Sequence, residues 1–213
     1  MSKYRFEASD IYLPGTEIPV NRLGIQDAEL LGEIEETLLQ QAYQTVIDEL
    51  GPATRFDEAY FKALHQRTFA TLYDWAGAYR TVDMVKGDSL FCRAAFLEPE
   101  AKRIFGELEA ENFLKDAHTW PTARFAERLA YYQGELIALH PFLELNGRIT
   151  RLFTDLIAIA NGYAPIDYSR SLDDSTPNAY IRASIACVQR ADVEPLRRII
   201  LAGLGKMDTS CED

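Results

Sequence analysis

His140-Pro141-Phe142-Leu143-Glu144-Leu145-Asn146-Gly147-Arg148-Ile149-Thr150-Arg151 is the stretch on which the reading of this chain turns. It interrupts two apolar segments of helical period, one ending at Leu139 and one running from Leu152 to Ala160. Pro141 lacks an N–H and disfavours helical geometry at His140, so the first helix must stop there. Asn146 and Gly147 tolerate left-handed backbone, which predicts a turn that aims several amide N–H groups inward. A second helix starting near Asn146 adds its positive end to the same spot. Around that cup the sequence sets a base (His140), a carboxylate (Glu144) and two arginines, Arg148 and Arg151, one helical turn apart and expected on one face. Together they make a kit for phosphate chemistry.

These twelve residues resemble the signature of the Fic family, H-P-F-x-(D/E)-G-N-G-R-x-x-R, at every polar position. Leu145 departs from it, because the family usually carries glycine or alanine there. If that position needs a positive φ, leucine costs about 1–2 kcal/mol. If it does not, leucine packs at little cost, and both geometries stay open at this stage.

Outside the motif the chain reads as one ordinary globular unit. Its 213 residues suit a single domain with a sizeable core, and 47% hydrophobic with 26% charged residues fits that class. A net charge of −11 and a pI near 4.8 argue against a nucleic-acid partner, so any ATP site must be a local positive pocket. Cys92, Cys187 and Cys211 are scattered and lack metal spacing, which reads as reduced, non-catalytic thiols. No apolar run approaches membrane-spanning length and the N-terminus turns polar at once, so the expected location is cytoplasmic, with no membrane partner.

In chain order, residues 1–26 read as irregular, with a turn at Tyr12-Leu13-Pro14-Gly15-Thr16 and a helix N-cap at Asp27. Helices are expected from Ala28 to about Glu49, roughly Asp57 to Leu72, and Glu98 to Glu111. The long helix that Pro121 opens carries apolar residues around much of its circumference and should be central. Beyond the motif helix, Thr176 as N-cap with Pro177 in first position predicts another helix, and Asp192-Val193-Glu194-Pro195 opens a last one. The tail 207–213 reads as disordered. Only Thr81 to Phe91 carries a convincing β signal, a hairpin around Lys86-Gly87-Asp88 preceded by Asp74-Trp75-Ala76-Gly77-Ala78-Tyr79-Arg80. Packing, or a hairpin merely closing the domain, is the plain reading of these residues. Of the three histidines, His65 suits a structural role on an amphipathic helix and His118 a solvated loop.

The resemblance extends over most of the chain, since W-A-G-x-Y-R with a hairpin is similar to the Fic flap. The opening (Y-L-P-G-T, N-R-L-G-I) and the end (Y-I-R-A-S-I-A, D-V-E-P-L) look like compact bacterial Fic toxins. It implies an all-α, Fic-type helical bundle in one domain over 1–206, with a flap at about 80–92 and the motif loop at 140–151. It also implies AMP transfer from ATP to a protein hydroxyl (Tyr, Thr or Ser). His140 would be the base, Glu144 the Mg2+ ligand, and Leu145, Asn146, Gly147, Arg148 and Arg151 the phosphate-binding set. Asn146 would serve the α-phosphate and metal region, the two arginines the β- and γ-phosphates, and Phe142 would anchor the loop. Val85, Lys86, Gly87 and Asp88 would hold the target as an added strand. Two alternatives are kept. One is a catalytically impaired Fic-fold module binding a nucleotide or partner, on account of Leu145. The other is phosphotransfer to a protein, the activity of a family branch with lysine after the asparagine, where this chain has Gly147. The family's inhibitory pattern, (S/T)-x-x-x-E-(G/N), finds no full match: Leu50 follows Thr45 to Glu49, and Ala59 follows Thr54 to Glu58. An inhibitor in trans, a small antitoxin, is then implied, and the resemblance suggests a type II topoisomerase subunit as target.

Overall fold

The computed structural model describes residues 11–207; the expected disordered tail lies almost wholly outside them. Seven helices carry the fold: α1 (Ala28–Asp48), α2 (Glu58–Phe69), α3 (Leu97–Ala110), α4 (Thr122–Leu139), α5 (Asn146–Ala160), α6 (Ala179–Arg190) and α7 (Glu194–Gly203). Two short strands, β1 (Val85–Lys86) and β2 (Ser89–Leu90), form the one sheet of the described residues. The all-α expectation with a single hairpin is met.

Local chemistry explains most helix ends. Asp27 accepts hydrogen bonds from the N–H groups of Glu29 and Leu30, and Asp57 accepts from Tyr60, so α1 and α2 begin where a short acceptor side chain can serve exposed amides. At α6 the start moves from the expected Thr176-Pro177 to Asn178, whose side chain accepts from Ile181 N–H. Several short polar residues compete for that cap, and only one can win.

Helix α4 is the axis. It packs against α3, α5, α6 and α7, and Phe125, Ala126, Leu129, Ala130 and Tyr132 are fully buried along it. One continuous apolar core draws on all seven helices. At its centre Phe61 of α2 meets Phe142 of the motif loop at 5.5 Å and Phe153 of α5 at 5.2 Å between ring centres. The motif loop is therefore pinned from below by aromatic packing, as expected for Phe142. A small satellite of Met84 and Phe91 packs on Val188 and seats the hairpin against α6.

Candidate active site

The loop between α4 and α5 is built from two left-handed residues, and they are not those the sequence suggested. His140 has φ 47° and Leu145 φ 67°, whereas Asn146 and Gly147 have no positive φ and form the first turn of α5. Leucine thus sits in the strained geometry, and it is also buried at 7% exposure within the main core. Asn146 serves the turn in another way. Its side-chain oxygen accepts from Phe142 N–H at 2.8 Å and its amide donates to Phe142 C=O at 2.7 Å, closing the loop on itself. From beneath, Gly77 N–H donates to Nδ1 of the fully buried His65 at 3.0 Å, so Nε2 carries the proton towards Glu144 C=O at 3.1 Å. Burial lowers the His65 pKa to about 4, which keeps the ring neutral in this bridge. Gly77 is obligatory: a Cβ there would lie 2.7 Å from Gln66 Cβ, and its φ is +80°.

No side chain caps α5, and among the described residues the N–H groups of Asn146, Gly147 and Arg148 meet no acceptor. They open at the positive end of a 15-residue helix. Asn146 and Gly147 line a cavity of about 320 Å³ together with His140, Arg151, Lys86, Gly87, Ser89, Phe91 and a face of α6 that includes Tyr180 and Ser184. Amides, a guanidinium and an imidazole thus converge on one cleft.

His140 is held from several sides. Its ring stacks on Phe91 at 3.8 Å between ring centres, beside the Ile137 carbonyl. Its carbonyl accepts from Nε of Arg80 at 2.8 Å. Burial, then the positive charges of Arg80 and Lys86, bring the pKa down to about 3, well under the unperturbed value the sequence reading used. Arg80 is itself buried, and its guanidinium is spent on main-chain oxygens: Val82, Cys92, Leu139 and His140. Its own N–H donates to Pro141 C=O at 2.8 Å. This residue rivets the flap to the end of α4.

The expected hairpin forms around Lys86-Gly87-Asp88. Val85 pairs with Leu90 and Lys86 with Ser89, around a two-residue Gly87-Asp88 turn. Gly87 has φ +59° and Asp88 has no positive φ, the pattern of a type II′ turn. Lys86, Gly87 and Ser89 line the cavity; Val85 and Asp88 do not.

The two arginines part company. Arg151 lines the cavity, with its guanidinium carbon 5.1 Å from the Tyr180 ring centre. Arg148 is absent from the cavity wall and pairs with Glu35 of α1 at 2.8 Å. Positions i and i+3 differ by about 60° around a helix, enough for a buried carboxylate on α1 to draw one of them to the far side. Glu35 also accepts a hydrogen bond from Tyr73 at 2.5 Å.

Glu144 lies on that far side too. It is 2% exposed, off the cavity wall, and its Oε1 accepts from Tyr12 at 2.6 Å. Among the described residues no carboxylate lines the cavity, and no group of three metal-binding side chains is present. The residues as arranged do not form a ready magnesium site.

Sequence reasoning missed two contributors, Arg80 and Tyr180, while the structural role read for His65 is the one it has. Arg80 left a faint signal, since a lone arginine after W-A-G-x-Y asks for buried partners. Tyr180 left none, because it reads as one more core aromatic.

Known proteins give the same picture. The model of the Fic/DOC family matches residues 55–158. A probable protein adenylyltransferase Fic from Salmonella typhimurium is 37% identical over 160 residues, covering 74% of this chain and 76% of that protein. A second probable protein adenylyltransferase, from Sinorhizobium fredii, is 31% identical over 198 residues, covering 92% and 96%. BepC of Bartonella tribocorum, solved with bound AMPPNP, shares the fold at a TM-score of 0.77 over 92% of this chain and 96% of that one, with 22% identity. With the motif loop, the flap and these relatives in agreement, the chain belongs to the Fic/DOC family.

Proposed function

We propose that this protein transfers AMP from ATP to a hydroxyl side chain of a target protein. The observation that carries the reading is the shared cavity of His140, the α5 amides and Arg151. The amides and Arg151 hold the triphosphate and stabilise charge as it develops on its oxygens. His140 accepts the proton of the attacking hydroxyl. As the hydroxyl oxygen bonds to the α-phosphorus, the bond to the β-phosphate bridging oxygen breaks and pyrophosphate leaves. A pKa of about 3 makes the free imidazole neutral and therefore competent, though weakly basic. Phosphate charge arriving beside it offsets Arg80 and Lys86 and raises its basicity towards the useful range. ATP enters as its magnesium complex, the form in which phosphate oxygens already carry the ion.

The hairpin gives the target a strand edge beside the base, with Val85, Lys86, Gly87 and Asp88 as the docking segment. The relatives' printed names support AMP as the transferred group. Gly147 supports it over phosphotransfer: a Cβ fits there 3.7 Å from an Arg151 nitrogen, but a lysine chain would extend into the phosphate end of the cavity. Control in trans is part of the proposal. Among the described residues no carboxylate forms an ion pair with Arg151, and a small antitoxin would bring one in the cytoplasm where toxin and ATP meet.

The test is incubation with bacterial lysate and ATP labelled at either the α or the γ position. Label from α alone should reach protein, and His140→Ala should abolish it without unfolding the chain. Transfer from the γ position would replace AMP by phosphate as the group moved. Equal transfer by parent and mutant would remove His140 as the base.

A further inference from the structure

Tyr180 is a buried side chain on the cavity wall with a constrained hydroxyl. Gln133, fully buried on α4, donates its amide to the Tyr180 oxygen at 3.1 Å, while its own oxygen accepts from Tyr168 at 3.2 Å. The Arg151 guanidinium carbon lies 5.1 Å from the Tyr180 ring centre on the same cavity wall. An amide N–H is a donor, so towards Gln133 the tyrosine oxygen accepts. The phenol oxygen therefore receives that donor, and its own proton must go elsewhere. Among the described residues no acceptor takes it, and a buried hydroxyl proton without an acceptor is costly. Tyr180 lines the cavity, where an arriving ligand can supply that acceptor.

We propose that Tyr180 is a ligand-binding residue of the nucleotide site, donating its hydroxyl proton to the same phosphate group that Arg151 grips. This rests on the nucleotide reading above. The geometry makes the pair complementary: guanidinium and hydroxyl present two donors side by side to one anion, and Gln133 fixes the hydroxyl so that its proton faces outward.

The experiment is calorimetric titration of the full chain with Mg-ATP, Mg-ADP, AMP and adenosine, for the parent and for Tyr180→Phe. Loss of a hydrogen bond to a charged group should weaken Mg-ATP binding by roughly ten-fold or more and leave adenosine unchanged. Mg-ATP affinity unchanged by the substitution would overturn the proposal, as would an equal loss for adenosine, which marks a packing defect. Incorporating 3-fluorotyrosine at 180 separates a direct contact from an effect through Arg151. The fluorine makes the hydroxyl a better donor and a poorer acceptor, so a direct contact keeps or tightens Mg-ATP binding, while weaker binding would overturn the assignment. A parent that binds no nucleotide would instead sink the reading on which this one stands.

Discussion

Replacing Leu145 sets two opposed effects against each other in one residue. With φ 67° the position suits glycine, and relief of left-handed strain is worth about 1–2 kcal/mol. The side chain is also buried in the main core, and emptying such a site costs about 2–5 kcal/mol. Glycine adds an unfolded-chain entropy penalty of about 0.5–1 kcal/mol. The balance for Leu145→Gly is a loss of about 2 kcal/mol, a fall in Tm of roughly 4–8 °C for a chain of this size. Leu145→Ala removes the packing without relieving the strain, so it should melt about 1 kcal/mol below the glycine variant. Thermal melts of the three proteins give the order parent, glycine, alanine. A glycine variant more stable than the parent would show that strain outweighs packing, and alanine above glycine would refute the left-handed geometry altogether. Label transfer should survive in both variants, since Leu145 does not line the cavity.

Arg151→Ala should raise the ATP concentration needed for transfer by ten-fold or more with little change in Tm, whereas Arg148→Ala should cost about 2 kcal/mol of stability by leaving Glu35 buried without its cation. Identical behaviour of the two variants in both assays would erase the distinction drawn from the cavity. Stability should also fall on acidification. His65 and His140 titrate at about 4 and 3 in the fold against about 6.5 unfolded, so between those values the unfolded chain binds more protons. Their contribution is complete above about pH 6.5 and is lost as pH drops through 4 and 3. Asp155 opposes them, since burial raises its carboxyl to about 7 and its contribution is lost as pH rises towards that value. Asp155→Asn should therefore steepen the acid loss, and denaturant melts from pH 7 to 4 showing an unchanged slope would refute the assignment.

Much of this site could be read from residue order because the features are local. Pro141 stops α4, Asp27 and Asp57 cap their helices, and Gly87 turns the hairpin, all through interactions within a few residues. What escaped was set by distant partners. Glu35, 113 positions from Arg148, decides which way that arginine points, and Tyr12, 132 positions from Glu144, does the same for the carboxylate. Left-handed backbone at His140 and Leu145 escaped for a related reason. Side-chain preference pointed to Asn146 and Gly147, but Asn146 is engaged in closing the loop, and helix α5 claims both residues from its first turn.

The self-closed amide of Asn146 bears on how nucleotide binding divides between heat and disorder. A loop that already holds its turn through Phe142, with His65 beneath it, has little freedom left to surrender when a ligand arrives. Its ordering penalty falls on folding rather than on association. Nucleotide capture should then be limited by displacement of water from the α5 amides and by the position of the hairpin, not by rearrangement of the motif. The loop behaves as a rigid mould, and whatever adapts to the guest must be the flap.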